Sequence, residues 1–394
     1  TREPHNPRAA RRSSRRPRTS PTSPDERTEP PMTVLLWILG ILALPVVIAA
    51  VWFTGVFVKE LFSPSPPGAD EAADAAERLG LLPAERQDTE HAAPLPAPWA
   101  EALAAVRGGD WQPAAEALRG IGRDWERRTT LSGLLGTLAA EDDAWLLAWE
   151  AARPDDPDAA VVRAQSTVYL AWELRGAKMA RYTTQEQFEG FHRTLAGARE
   201  EIARAAALNP DDPTPYITEI WVALGLGLPH AEMDKLWAEI TTRAPHHFGA
   251  HYSALQYWCA KWRGSEQQAF DFAERAAADA PLGSLLSALP LVAHFEHDES
   301  TDVAADSTPE MVARVDAGLA DAAAADPEHP GLAQLRHLLA FYLHLQDRHE
   351  AALEQFKLVD GYVDALPWSY RGDESAAYYC RVRNETVQAV TGGA

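Results

Sequence analysis

AREEIARAAALNP over residues 198–210, MDKLWAEITTRAP over 233–245 and AFDFAERAAADAP over 269–281 decide the fold. In each, apolar residues stand 12, 8 and 5 positions before the closing proline: Ala198, Ile202 and Ala205; Met233, Trp237 and Ile240; Ala269, Ala273 and Ala276. Steps of four and three line one helix face. The proline ends the helix, because it has no N–H and its ring clashes with the preceding turn. Pro210, Pro245 and Pro281 are 35 and 36 residues apart, which is room for one pair of helices. Such a pair cannot bury its apolar face alone, so pairs must stack. Trp237, on the proline-registered face, is expected to be buried between helices.

The register extends outward from this stretch. Val315, Leu319 and Ala322 precede Pro327 in the same way, and Ala352, Phe356 and Val359 keep it near the C-terminus. Helices are expected over 99–107, 112–121, 159–175, 185–208, 215–225, 231–243, 250–262, 265–279, 284–296, 309–325, 331–345 and 348–359. A last helix over 374–388 is expected to cover the open end, as terminal repeats must. The proline intervals lengthen to 56 (Pro154 to Pro210) and 46 (Pro281 to Pro327). The excess falls at 176–184 and 297–308, between the first and second helix of a pair. Thr183 with Glu186, and Ser307 with Glu310, have capping-box spacing and mark where the second helices start. Both insertions then leave from one edge, where a repeat protein often builds its binding rim.

Ala206-Ala207-Leu208-Asn209-Pro210-Asp211-Asp212-Pro213, Asp347 to Phe356, and the packing positions Ile217, Ile220, Trp221 and Leu224 resemble tetratricopeptide repeats. The resemblance spans about 98–360 and is strongest at 198–281 and 331–359. It implies an all-α fold, a right-handed superhelix of antiparallel helix pairs that presents a docking surface. Lys261-Trp262-Arg263-Gly264-Ser265 with Phe270-Asp271-Phe272-Ala273 also resembles a family of bacterial, membrane-anchored helical-repeat proteins without an assigned activity.

Thr33 to Val58 is 26 residues without a charge, longer than the ~20 a bilayer core requires. A transmembrane helix is expected there, the alternative being a cleaved signal peptide, whose apolar region is usually shorter. Residues 1–31 are rich in Arg, Pro and Ser and cannot fold alone. Met32 directly precedes the apolar run, which points to translation starting there. With residues 1–31 present, eight arginines precede the span and place the large domain outside; from Met32 only Lys59 flanks it. The side of the membrane stays open between these. Residues 59–97, with Pro-rich ends, are expected to be a linker, and 98–394 the helical-repeat domain.

The chain carries −21 overall. Residues 1–59 hold eight Arg and Lys59 against Glu3, Asp25, Glu26 and Glu29, so 60–394 carries −26. That charge repels nucleic-acid phosphates and anionic lipid heads. Cys259 and Cys380 lie several repeats apart, too far to bridge, and are expected to be small buried residues.

Candidate binding residues come from one edge and one aromatic cluster. Arg107-Gly108, Arg175-Gly176 and Arg263-Gly264 end first helices. Glycine suits the left-handed helix terminus and arginine the helix dipole. With Lys178, Arg181 and Lys261 beside them, Arg175 and Arg263 also make a basic edge able to hold an acidic partner. Trp258 and Trp262, four apart in the expected helix 250–262 with Tyr252 and Tyr257 nearby, are packing residues or an aromatic anchor for a peptide. The partner-binding set is therefore Arg175, Lys178, Arg181, Trp258, Lys261, Trp262 and Arg263.

No phosphate loop, nucleophile elbow, dinucleotide fingerprint or kinase motif is present, so neither catalysis nor a cofactor is expected. The competing reading is a metal-dependent hydrolase using His247, His251, His294, Glu296 and His297. His247 and His251 share a helix face at i and i+4, as metal ligands do, but no glutamate completes the metalloprotease pattern. Surface or capping histidines are the default.

Overall fold

The computed structural model describes residues 69–176, 184–297 and 303–392. The chain divides into two units, 1–66 and 67–394, and every described residue lies in the second. Among these residues all regular structure is helical. The helices are α1 (Ala69–Arg78), α2 (Ala97–Arg107), α3 (Gln112–Ile121), α4 (Trp125–Glu141), α5 (Ala144–Ala152), α6 (Pro157–Arg175), α7 (Gln185–Leu208) and α8 (Thr214–Leu226). There follow α9 (His230–Arg243), α10 (Phe248–Trp258), α11 (Glu266–Ala278), α12 (Ala288–His297), α13 (Pro309–Ala324), α14 (Leu332–Leu345), α15 (His349–Val359) and α16 (Ser375–Gly392). No described helix is long and apolar enough to cross a membrane. The charge-free run Thr33–Val58, with Lys178 and Arg181, lies outside the described residues.

The proline-registered faces are buried. Ala198, Ile202 and Ala205 of α7, Met233 and Ile240 of α9, Ala269 and Ala273 of α11, and Ala352, Phe356 and Val359 of α15 all face the core. Consecutive helices pack in pairs: α6 on α7, α8 on α9, α10 on α11, α14 on α15. The even-numbered helices also touch one another in succession, α4–α6–α8–α10–α12–α14. That row bends back on itself, since α4 reaches α8 and α10 as well.

Trp237 is not where its register placed it. Leu236 takes the buried position, and Trp237 is half-buried, edge-on to His251 at 4.7 Å and to Phe272 at 5.2 Å. Trp237→Ala should therefore cost about 2 kcal/mol, the value of two aromatic contacts with some lost area, and not the ~3–5 kcal/mol of a fully buried tryptophan. Urea denaturation measures the difference.

Helix α4 is the element that the apolar pattern does not announce. Thr129, Thr130, Ser132, Gly133, Gly136 and Thr137 dilute its periodicity. Its N-cap is Asp124, which accepts from the Arg127 N–H, and Leu131, Leu135 and Ala139 are its buried stripe. The glycines let α6 approach closely. A Cβ on Gly136 would stand 2.9 Å from Gln165 Cβ and 3.1 Å from the Tyr169 ring.

Capping residues sit one position later than expected. Thr184 and Gln187 form the capping box of α7, and Thr308 caps α13 through the Met311 N–H. Helix α10 also stops at Trp258 instead of running to 262, because the next residues fold back. The Arg263 N–H donates to Tyr257 O (3.2 Å) and the Gly264 N–H to Cys259 O (3.3 Å). This return leaves no room for a side chain: a Cβ on Gly264 would lie 1.8 Å from Trp258 O. The Arg-Gly pairs thus end helices for different reasons. Gly176 has φ +75°, Gly109 and not Gly108 takes the positive φ (+88°), and Gly264 is required by close approach. Gly264→Ala should destabilise by the upper end of the ~1–3 kcal/mol typical of overpacking, read as a lower thermal midpoint.

The stretch expected to be a linker is partly built into the domain. Helix α1 packs on α16, with Ala76 and Leu81 against Leu353 and Val387. The Leu82 N–H donates to Asp360 Oδ2 at 2.7 Å. Arg383, 2% exposed, donates to both Leu82 O (2.7 Å) and Asp360 Oδ1 (2.6 Å). Asp88 pairs its backbone with Gly361 and Val363. The end helix α16 is therefore itself covered by α1 and residues 84–86. Cys259 and Cys380 are both free and buried.

Candidate functional site

The row of even-numbered helices encloses a groove of about 300 Å³. Helix α4 contributes Glu126, Thr129 and Thr130; α6 contributes Gln165, Val168 and Tyr169; α8 contributes Ile217, Thr218 and Trp221. The N-terminal end of α10 closes it with His247, Phe248, Tyr252 and Ser253, and the start of α14 with Gly331 and Gln334. Gln165, Val168 and Tyr169 are spaced i, i+3 and i+4, so one face of α6 forms the floor. The lining mixes hydroxyls, amides and aromatic rings around one carboxylate.

Glu126 is that carboxylate. It accepts from the Phe248 N–H, and its other oxygen faces the Gly249 N–H at 3.5 Å. It thus stands at the N-terminus of α10, where the helix dipole and free N–H groups favour an anion. His247 Nδ1 is 3.2 Å away and His329 Nε2 3.9 Å. No lysine or arginine pairs with it among the described residues; neighbouring Arg127 turns instead to Asp124, Asp326 and Glu328. Burial pushes the Glu126 carboxyl up to about 7.

Gln165 is the second distinctive residue. It is 5% exposed, and its Oε1 is a buried acceptor with no hydrogen-bond partner among the described residues. Buried polar atoms are seldom left unpaired, since each costs roughly 1–3 kcal/mol.

Beneath the groove, Arg128 holds three elements together. Its guanidinium, 6% exposed, pairs with Asp158 at the start of α6 and with Asp212 (2.8 Å) before α8. Asp212 is fully buried and also accepts from the Thr214 N–H. Thr129 and Thr214 hydroxyls meet at 2.8 Å.

Of the residues expected to bind a partner, Arg175 and Trp262 meet, while Lys178 and Arg181 lie outside the described residues. Arg175 lies over the Trp172 and Trp262 rings, at 5.5 and 5.7 Å. Lys261 is committed to Glu296 (2.6 Å) and the Tyr370 hydroxyl (2.8 Å). Arg263 is exposed. Trp258 and Trp262 do not share a face, because α10 ends between them. Trp258 lines a cleft with Trp237, His251 and Phe272, whereas Trp262 packs edge-on against Trp172 at 5.6 Å. Of the aromatic cluster, only Tyr252 lines the groove between the even-numbered helices.

The histidines of the hydrolase reading each have a structural partner. His247 is the N-cap of α10: its Nδ1 accepts from the Ala250 N–H, and its Nε2 donates to Trp125 O. His251 Nδ1 donates to His247 O, and His294 Nε2 meets Asp306 at 3.0 Å. His297 Nδ1 donates to Ala293 O and its Nε2 accepts from the Ala260 N–H. Glu296 receives Gln256, Lys261 and Tyr370. Among the described residues no group of three or more His, Cys, Asp or Glu side chains is placed to hold a metal ion.

Glu126, Gln165, Tyr169, Thr218 and Gln334 were not expected as site residues. They come from four separate helices, and none belongs to a recognisable motif. The only local signal was Asp124 as an N-cap, which would have revealed α4 and so the inward position of Glu126. No family model, no curated protein and no solved structure matches the chain.

Proposed function

We propose that this chain is a single-pass, membrane-anchored helical-repeat protein that docks a peptide or protein partner and has no catalytic role. The pairing of successive helices, with the even-numbered row stacked, supports a tetratricopeptide-like right-handed superhelix. The charge-free run Thr33–Val58 supports the anchor. The observation that carries the docking reading is the groove itself, where the unpaired acceptor of Gln165 lies beside hydroxyls, amides and aromatic rings. At ~300 Å³ it stands at the small end of ligand sites, so it suits a short extended segment.

Selection of a random peptide display library on the full chain tests this. Gln334 lines the groove and is half-buried, so Gln334→Trp should fill it. Enriched peptides should bind the wild-type chain and lose at least 10-fold in affinity on Gln334→Trp. Peptides that bind both equally would place docking elsewhere.

A further inference from the structure

Three features of the groove specify what kind of segment it takes. First, Glu126 is a largely buried carboxylate, 20% exposed, that has no lysine or arginine partner among the described residues. The groups facing it are His247, Phe248 and Gly249 of the α10 start, His329 before α14, and Asp124 beside it. Second, Gln165 Oε1 is an unpaired buried acceptor in the same lining. Glu126 therefore lacks a cation, and Gln165 Oε1 lacks a donor. Third, residues 60–394 carry −26, so the surrounding field attracts cations.

We infer that the groove takes a basic extended peptide, with a lysine or arginine side chain against the Glu126 carboxylate and the buried Gln165 amide turning toward the groove to accept a backbone N–H. The inference rests on the docking reading above and adds the chemistry of the partner. It reverses the acidic partner expected from the sequence. In that reading the cations sit on an edge, but Lys261 is already neutralised by Glu296 and Arg175 is stacked on tryptophan. The Trp221, Tyr169 and Tyr252 rings supply apolar walls for the aliphatic stem of a basic side chain. A cation beside Glu126 also relieves the cost of charging a buried carboxyl.

The test uses three fluorescein-labelled pentapeptide amides, identical except for lysine, norleucine or glutamate at the centre. Fluorescence anisotropy with the full chain reads their affinities. Lysine should bind at least 10-fold tighter than norleucine at low salt, and glutamate weakest. The lysine advantage should shrink as salt screens the attraction. Glu126→Gln keeps an acceptor for the Phe248 N–H, so the fold is preserved, and it should bring the lysine-to-norleucine ratio close to one. Gln165→Met should weaken the lysine and norleucine peptides alike. Equal binding of lysine and norleucine by wild type overturns the inference and leaves the docking groove standing. A lysine preference that survives Glu126→Gln overturns it too, because the cation then sits elsewhere. If none of the three binds while peptides selected from the library do, the basic inference falls alone. If the library also yields no groove-dependent peptide, the docking reading falls with it.

Discussion

Arg128→Met should destabilise the domain by about 3–5 kcal/mol, the cost of removing one partner from a buried ion pair. The methionine roughly fills the space of the arginine stem. It leaves Asp158, at 13% side-chain exposure, and fully buried Asp212 without their cation. Two neighbouring anions then share a site with little water, and the α4–α6–α8 junction opens. The thermal midpoint should fall by about 10 °C, taking roughly 2–4 °C per kcal/mol for a domain of this order of size. Adding Asp212→Asn should recover part of the loss, because one uncompensated charge is removed. A midpoint within 1 °C of wild type would mean that Arg128 is solvated and contributes no more than a surface pair.

Acid should unfold the protein between about pH 6.5 and 4. His247, His251, His337 and His344 are all pushed down from 6.5 to about 4 by burial. Hydrogen bonding gives two of them a further reason to stay neutral. His247 Nδ1 accepts from the Ala250 N–H, and His337 Nδ1 accepts from the Trp368 indole N–H at 3.0 Å. A proton on either nitrogen would turn an acceptor into a donor facing a donor. The folded values lie below the unfolded value, so the unfolded chain binds protons first as pH falls. Stability is full above 6.5, declines through this window and is lost by pH 4. Each shift corresponds to about 3 kcal/mol. Glu126 acts in the opposite sense. Its folded value of about 7 exceeds the unfolded 4.5, so it adds stability as pH falls from 7 to 4.5. That offsets about one histidine of the four. With a typical domain stability of about 5–15 kcal/mol, the remainder is enough to unfold the chain. Circular dichroism at 222 nm should show a cooperative loss of helix in this range. Helix and cooperative melting retained at pH 4 would show that these rings accept protons without cost.

Helices that bury small and aliphatic residues ahead of a proline were legible, because the proline and the apolar steps are both local. This covers α7, α9 and α11 nearly to the residue, and α15 by its apolar steps alone. Trp237 marks the limit of that reading, since periodicity gives a face and neighbours decide which residue of the face is deepest. Helix α4 was hidden because its inward face carries Gly133, Gly136 and hydroxyl residues chosen for close approach to α6, and these weaken the apolar pattern. The same closeness builds the groove, so missing α4 also meant missing the site. The packing of residues 69–92 on α16 and on the segment after α15 was illegible for another reason. Its bonds join residues about 270–300 positions apart, such as Gln87 with Asp360 and Leu82 with Arg383, and no local pattern encodes them. The basic edge rested on charges that are neighbours in sequence, but Lys261 finds its counterion, Glu296, only across the fold.

The docking claim is tested most directly by hydrogen exchange on the full chain, with and without the tightest groove-dependent peptide from the library. The account predicts slowed exchange at 125–130, 165–172, 217–221, 247–253 and 330–334, the segments of α4, α6, α8, α10 and α14 that line the groove. Slowed exchange confined to α7, α9 and α11, with the groove segments unchanged, would contradict it.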